Sequence, residues 1–481
     1  MQPAHLLFLL SDEHSRDMTG CYGHPCIQTP HLDGLAARGA RFTRACTPCP
    51  ICVPARASLA TGRWVHQIGA WDNAFPYSGA VPSWGHRLQD QGFQVVSIGK
   101  LHFRGPRDNN GFTQEIEPLH VVGEVGDLLG CLRERSPARD KREGIAEAGP
   151  GSSTYLEYDA RIARHAVQWI EAHAHDERPW VLFVSFVCPH PPYIAPPRLF
   201  DLYPPDRLPL PPQWRAGEHP EHSELRWMRE KFGYGEFDEP LLRKAIAAYS
   251  GAVTYLDERI GEVLGALERL GLTDRTRVMY SSDHGENLGA RGLFGKFTMY
   301  EESVTVPLLL AGPDVPAGRI VGTPASLVDC FPTVLEAVGA EPAPGDLSLP
   351  GRSLWGLAAE PDRDREVVSE YHAVNSRRAI FMLRGLRYKY VHYAGASPQL
   401  FDLETDPHEL RDLASDPAHE AVRQAMETRL RARLDPESVD AQARSDQHAK
   451  IEAHGGEAQV LRRGTFDNSP VPGETPAFKG V

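Results

Sequence analysis

The stretch HLLFLLSD at positions 5–12 is a near-continuous apolar run that ends in an acid. Consecutive apolar side chains on a strand point to both of its faces. Such a run therefore has no solvent side and belongs in a parallel or mixed sheet covered on both faces. The pattern returns in QVVSIGK (94–100), WVLFVSFV (180–187), RVMYSSDH (277–284) and VPLLLAG (306–312). Helical segments lie between these runs. PHLDGLAARG (30–39) has Pro30 near its first position and Gly39 closing it, and 241–271 carries apolar residues at a spacing of three to four. Strands alternating with helices predict a doubly wound α/β fold, a large mixed sheet flanked by helices. Ligands are then expected at the carboxyl ends of the strands.

Outward from this pattern, 104–150 reads as polar and irregular and 189–214 as proline-rich, so both are expected to loop over the sheet's upper edge. From about 376 the runs shorten into RAIFMLRG and LRYKYVHY, an antiparallel hairpin, followed by a helix over 419–434. The expected division is an α/β domain at 1–372, a smaller α+β subdomain at 373–455 and a polar tail at 456–481. Val460, Leu461 and Phe466 of that tail are expected to anchor on a neighbouring subunit of a homo-oligomer.

Length and composition fit a large globular protein: 481 residues, 41% hydrophobic, 24% charged. The formal charge of −13 argues against non-specific nucleic-acid binding. The N-terminus lacks a basic region and a small-residue cleavage site, and no run is apolar for long enough to cross a membrane. The expected location is cytoplasmic, with no membrane partner.

Three of the eight cysteines fall in CTPCPICVPARASLATGR at 46–63. The C-x-x-C-x-x-C spacing admits a zinc or iron–sulfur site, but a fourth ligand is missing and Pro48, Pro50 and Pro54 stiffen the loop. Simple packing under a loop is a second reading. A third starts from Pro54, which suits a helix's first turn and places Cys52 at the positive end of the helix dipole. Arg56, one turn on, adds to a place for an anion.

The combination C-V-P-A-R at 52–56 with T-G-R at 61–63 resembles the signature of the type I, formylglycine-dependent sulfatases of the alkaline phosphatase superfamily, choline-sulfatase and arylsulfatase members above all. SDE (11–13), TPHLDGLAARGARF (29–42), GKLH (99–102), PHPPY (189–193), SSDHGENLG (281–289) with Gly295-Lys296, and LFDLETDPHELRDLA (400–414) match further family blocks in order. The resemblance implies that a dedicated formylglycine-generating enzyme oxidises Cys52, leaving Cys46 and Cys49 as ordinary loop residues. It implies a divalent cation held by Asp12, residue 52, Asp283 and His284, with Glu13 a weaker candidate. Oxygen-rich ligation favours Ca²⁺ and the imidazole admits Mn²⁺. By the same resemblance Arg56 steadies the hydrated aldehyde, Lys100 and Lys296 bind sulfate, His102 is the base, and His190 with Lys296 faces the leaving group.

The implied reaction is hydrolysis of aryl or alkyl sulfate monoesters by a geminal diol, one hydroxyl attacking sulfur and the other then expelling sulfate. The alternative is a phosphonate or phosphate monoester hydrolase of the same superfamily, against which the lysine and histidine of GKLH argue. The segment GAWDNAFPY (69–77) is expected to read the alcohol half of the substrate. Trp71, Phe75, Tyr77 and Phe103 would then form aromatic faces for a cation and Asp72 a counter-charge, unless these aromatics belong to the core or a lid.

Overall fold

The computed structural model describes residues 2–234, 237–372 and 374–480. Strand β1 (His5–Asp12) is buried along its whole length. Leu7 and Leu9 enter one core with Ile162, Trp169, Leu256 and Ile260. Leu6, Phe8 and Leu10 enter another with Leu59, Phe331 and Val334. The apolar run is continuous because both faces are covered.

Seven further strands complete the sheet: β2 (Gly39–Phe42), β3 (Gln94–Lys100), β4 (Gln114–Leu119), β5 (Trp180–Pro189), β6 (Thr276–Ser282), β7 (Leu308–Ala311) and β8 (Arg319–Val321). Their spatial order is β8-β2-β7-β6-β1-β5-β3-β4. β1 runs parallel to β5 and β6, with Leu6 opposite both Val181 and Arg277. β7 is antiparallel to β6 and β2, which makes the sheet mixed. Helix α1 (Pro30–Ala37) follows β1 in the chain, and further helices cover the two faces. On one side lie α3 (Thr154–Ala172) and α4 (Glu239–Arg269), and on the other α2 (Cys52–Thr61) and α5 (Cys330–Val338). α2 stops at Gly62, whose φ of 66° is left-handed and where a Cβ would lie 2.7 Å from that of Phe331. The glycine of T-G-R is thus demanded by packing.

The stretch 104–150 departs from expectation. It contains edge strand β4, whose residues QEIEPL are mostly half-buried because only one neighbour covers them. A 3-10 segment, Leu128–Arg135, follows it.

The expected hairpin lies within a four-stranded antiparallel sheet, β9 (Val367–Tyr371), β10 (Ile380–Arg384), β11 (Tyr388–Tyr393) and β12 (Gln399–Asp402), in sequence order. β9 precedes residue 373, where the sequence sets its boundary; that residue and both chain ends lie outside the described residues. Helix α6 (Glu420–Arg431) packs Met426 and Leu430 on this sheet. Helix α7 (Pro436–Ala453) packs Ile451 against Leu128 and Leu129 of the 3-10 segment. Glu370, fully buried in β9, accepts from His66 Nδ1 at 2.7 Å and lies 3.2 Å from His372 Nε2, tying the small sheet to the segment after α2.

The tail folds against its own chain. Val460 is buried with Leu128, Leu129 and Ile451, and Leu461 packs on the same cluster. Phe466 meets Phe478 edge-on at 5.7 Å. The three residues expected to anchor on a neighbour are engaged within their own subunit.

Candidate active site

Four parallel strands adjacent in the sheet, β6, β1, β5 and β3, deliver their carboxyl ends to one place. β1 ends in Asp12 and Glu13, β6 runs into Asp283 and His284, β3 into Lys100 and His102, and β5 into His190. Glu13 (φ 65°) and His102 (φ 53°) hold left-handed backbone conformations, unusual for such side chains. Cys52 opens α2 against this cluster, and Lys296 arrives from the loop after Gly295. The structure therefore brings together all ten residues singled out from the sequence.

The ligand atoms of Asp12, Cys52, Asp283 and His284 lie within 4.8 Å of one another, all buried. Arg56 Nε donates to Asp283 Oδ2 at 2.7 Å, and Lys100 Nζ contacts Asp12 Oδ2. The other carboxylate oxygens are turned inward: His284 Nε2 lies 3.8 Å from Asp12 Oδ1, 3.6 Å from Asp283 Oδ1 and 3.1 Å from Cys52 Sγ. His284 Nδ1 sits 3.1 Å from the Gly285 carbonyl, so it carries the proton and leaves the Nε2 lone pair facing the acids. Two carboxylates, a free imidazole nitrogen and residue 52 fit a divalent cation. Glu13 lies outside this set. It groups instead with Asp12 and His190, where Lys296 Nζ at 2.6 Å from its Oε2 occupies the place of a cation. Its Oε1 is buried without a partner.

Charge at the site follows from these contacts. Burial opposes it, yet the cations Lys100 and Arg56 hold the Asp12 carboxyl well below the usual carboxylate range. Burial, with the neighbouring Glu286, pushes Glu13 well above it. Burial and Asp12 push the Cys52 thiol up to about 12, so unmodified it stays a protonated, poor nucleophile at neutral pH. Burial and the cations Lys100 and Arg56 keep His102 neutral, and burial with Lys296 does the same for His190. Lys296 stays charged despite burial through Glu13 and Asp12.

Several supporting residues carry no signal in the sequence. Ser185 Oγ accepts from Arg56 at 2.9 Å, Tyr155 lies edge-on to His190 at 5.9 Å, and Ser469 Oγ sits 3.0 Å from His102 Nε2. Glu286 lies within the quoted SSDHGENLG block but was not singled out from it; it accepts from Gly295 N at 2.6 Å.

A cavity of about 330 Å³ opens over Cys52, Lys100, His102, His190 and Lys296. A wider depression of about 580 Å³ beside the small sheet contains none of them. The aromatic wall of the cavity over Cys52 corrects the expectation for 69–77. It consists of Tyr155, Tyr193, Phe232, Tyr234, Phe294, Phe297 and Phe466, and of that segment only Asn73 reaches it. Trp71, 2% exposed, turns away to donate to Asp446 of α7 at 2.8 Å. Asp72 is buried against Cys131 and Gln447, Tyr77 packs edge-on to Phe103 at 4.7 Å, and Phe75 lies under Lys450.

This mixed α/β architecture, with its candidate nucleophile at a helix start beside a cluster of metal-type donors, is that of the alkaline-phosphatase-like hydrolases. Residues 4–340 match the family model described as Sulfatase, and the chain belongs to that family. It is a sulfuric ester hydrolase. Residues 289–435 match a second model, the C-terminal region of N-sulphoglucosamine sulphohydrolase. The chain is 33% identical over 464 residues to a choline-sulfatase of Rhizobium meliloti (strain 1021), covering 92% of this chain and 89% of that one. It is 28% identical to human arylsulfatase K over 442 residues, covering 85% and 78%. The fold superposes on the phosphonate monoester hydrolase of Agrobacterium radiobacter with a TM-score of 0.72 at 24% identity, covering 92% and 96%.

Proposed function

We propose that the chain hydrolyses aryl or alkyl sulfate monoesters with residue 52, oxidised to formylglycine, as nucleophile and a divalent cation, Ca²⁺ foremost, bound by Asp12, residue 52, Asp283 and His284. The observation that carries this reading is Cys52 itself. It is buried at a helix start within reach of three metal-type ligands, and its thiol is too weakly acidic to attack unmodified. The hydrated aldehyde and cation together would supply an acidified hydroxyl nucleophile at neutral pH.

The remaining work falls to the chain's own side chains. Lys100 and Lys296 line the cavity floor beside residue 52 and stabilise negative charge on the sulfate oxygens. Arg56, fixed by Asp283, Ser185 and the Lys100 carbonyl, holds the acids and residue 52 in register. Neutral His102 accepts a proton near residue 52, and His190 faces the departing alcohol. The aromatic wall excludes water and receives an apolar or aryl alcohol half.

The test combines the mass of the residue-52 peptide with sulfate release from aryl, alkyl and sugar sulfates, run beside phosphate and phosphonate monoesters. An aldehyde or hydrate at residue 52 and a clear preference for sulfate esters are expected. Full activity from protein carrying only the thiol would overturn the nucleophile, and a preference for phosphonates would overturn the substrate class.

A further inference from the structure

The segment after α7 returns over the mouth of the cavity as a closed loop. Thr465 N donates to the Lys479 carbonyl at 3.0 Å, and Lys479 N to the Thr465 carbonyl at 2.7 Å. Three contacts pin the loop between these ends. Val471 is buried in the core that contains Tyr155. Asp467 pairs with Lys141 at 2.7 Å and Lys479 at 2.5 Å. The Tyr155 hydroxyl donates to the Ser469 carbonyl at 2.7 Å. The consequence is a fixed Ser469 whose Oγ lies 3.0 Å from His102 Nε2.

The opposite side of the His102 ring is different. Its Nδ1 is buried with no hydrogen-bond partner. The backbone leaves the ring little freedom, since His102 N donates to the Leu119 carbonyl at 2.8 Å and its φ is left-handed. One ring nitrogen is therefore held by the tail and the other is left for chemistry.

We propose that Ser469 is a positioning residue that fixes the tautomer of His102, accepting from Nε2–H so that the lone pair stands on Nδ1. A neutral imidazole has one N–H and one lone pair, and the hydrogen bond at one nitrogen sets the role of the other. With Oγ accepting at Nε2, Nδ1 can take the proton of a hydroxyl at residue 52. The O–H bond breaks, its electron pair stays on oxygen, and the new N–H forms without rearrangement of the Ser469 contact. With Ser469 donating instead, the Nε2 lone pair would be consumed and Nδ1 would already carry its proton. A tail nearly 370 residues distant in sequence thereby completes the base. The inference rests on His102 serving as base in the reading above.

The test has two parts. In unmodified protein, ¹⁵N-resolved spectra of the His102 ring should show protonation at Nε2 in the wild type and a mixture of tautomers in Ser469→Ala. In active protein, Ser469→Ala should lower kcat about tenfold with KM changed less than twofold, the loss of one neutral hydrogen bond expressed in the rate. Ser469→Thr, which keeps the hydroxyl, should restore most of it. In a His102→Ala background the Ser469→Ala change should have no further effect. An unchanged tautomer in Ser469→Ala, or the same fold-loss in both backgrounds, would overturn the proposal. Inactive His102→Ala with Ser469→Ala indistinguishable from wild type would overturn it alone, whereas His102→Ala at wild-type turnover would overturn the base assignment itself.

Discussion

Replacing Glu370 with glutamine keeps the shape of the β9 side chain and removes its charge. The carboxylate is fully buried, accepts from His66 Nδ1 at 2.7 Å, and lies 3.2 Å from His372 Nε2. Burial alone would raise its pKa, yet His372 and His66 pull it from 4.5 to about 2. At about 1.4 kcal/mol per pH decade, that displacement corresponds to about 3 kcal/mol of stability, of the size lost when one partner of a buried pair is removed. The pH dependence has two limbs. Glu370's folded pKa is depressed, so its contribution is present above 4.5 and is lost as pH falls toward 2. His66, raised above 6.5 by Glu370 against the effect of burial, contributes fully below 6.5 and loses that contribution as pH rises through its folded value. The gap between wild type and Glu370→Gln is therefore widest between pH 4.5 and 6.5. Calorimetric or denaturant unfolding at pH 5.5 and pH 9 reads it directly. A loss of about 3 kcal/mol at pH 5.5 that shrinks at pH 9 is expected; equal stability at pH 5.5, or a gap that widens toward pH 9, refutes the network.

Asp283→Ala leaves Arg56 without its main partner and removes one cation ligand, so sulfate release should fall by several powers of ten; turnover near the wild-type rate would sink the metal assignment. Cys52→Ala should abolish turnover with the thermal unfolding profile kept, whereas Cys46→Ala and Cys49→Ala retain activity in the same sulfate-release assay. Trp71→Ala should cost about 3–5 kcal/mol of stability in denaturant unfolding. Because Trp71 lies off the cavity, it should affect a quaternary-ammonium ester and a neutral aryl ester alike; selective loss on the charged ester would contradict this placement.

The fold was legible where burial is two-sided. β1, β3 and β5 announce themselves because sheet neighbours and helices leave them no polar face. β4 was not legible: QEIEPL lies at an edge, where half-exposed positions carry polar residues and erase the apolar signal. The candidate residues that converge at the strand ends could be picked out because each stands at the end of such a strand or within a dense motif. What stayed hidden depends on contacts between distant segments. Ser185 meets Arg56, and Ser469 meets His102, across separations that no local pattern encodes. The aromatic wall was misplaced for the same reason. Proximity of 69–77 to α2 in the chain says nothing about α7, whose Asp446 draws Trp71 away.

The position of β1 in the sheet also imposes a timetable. The N-terminal strand sits between β5 and β6, so it acquires both neighbours only after residue 282 has been made. Cys52, 2% exposed once folded, is closed in by Asp283 and His284, which arrive with that same strand. About 230 residues separate Cys52 from the end of β6. At synthesis rates of about 5–20 residues per second, the Cys52 segment waits roughly 10–50 s for the strand that completes its surroundings. If residue 52 is oxidised as proposed above, the enzyme that does so works against a clock set by the order of the strands.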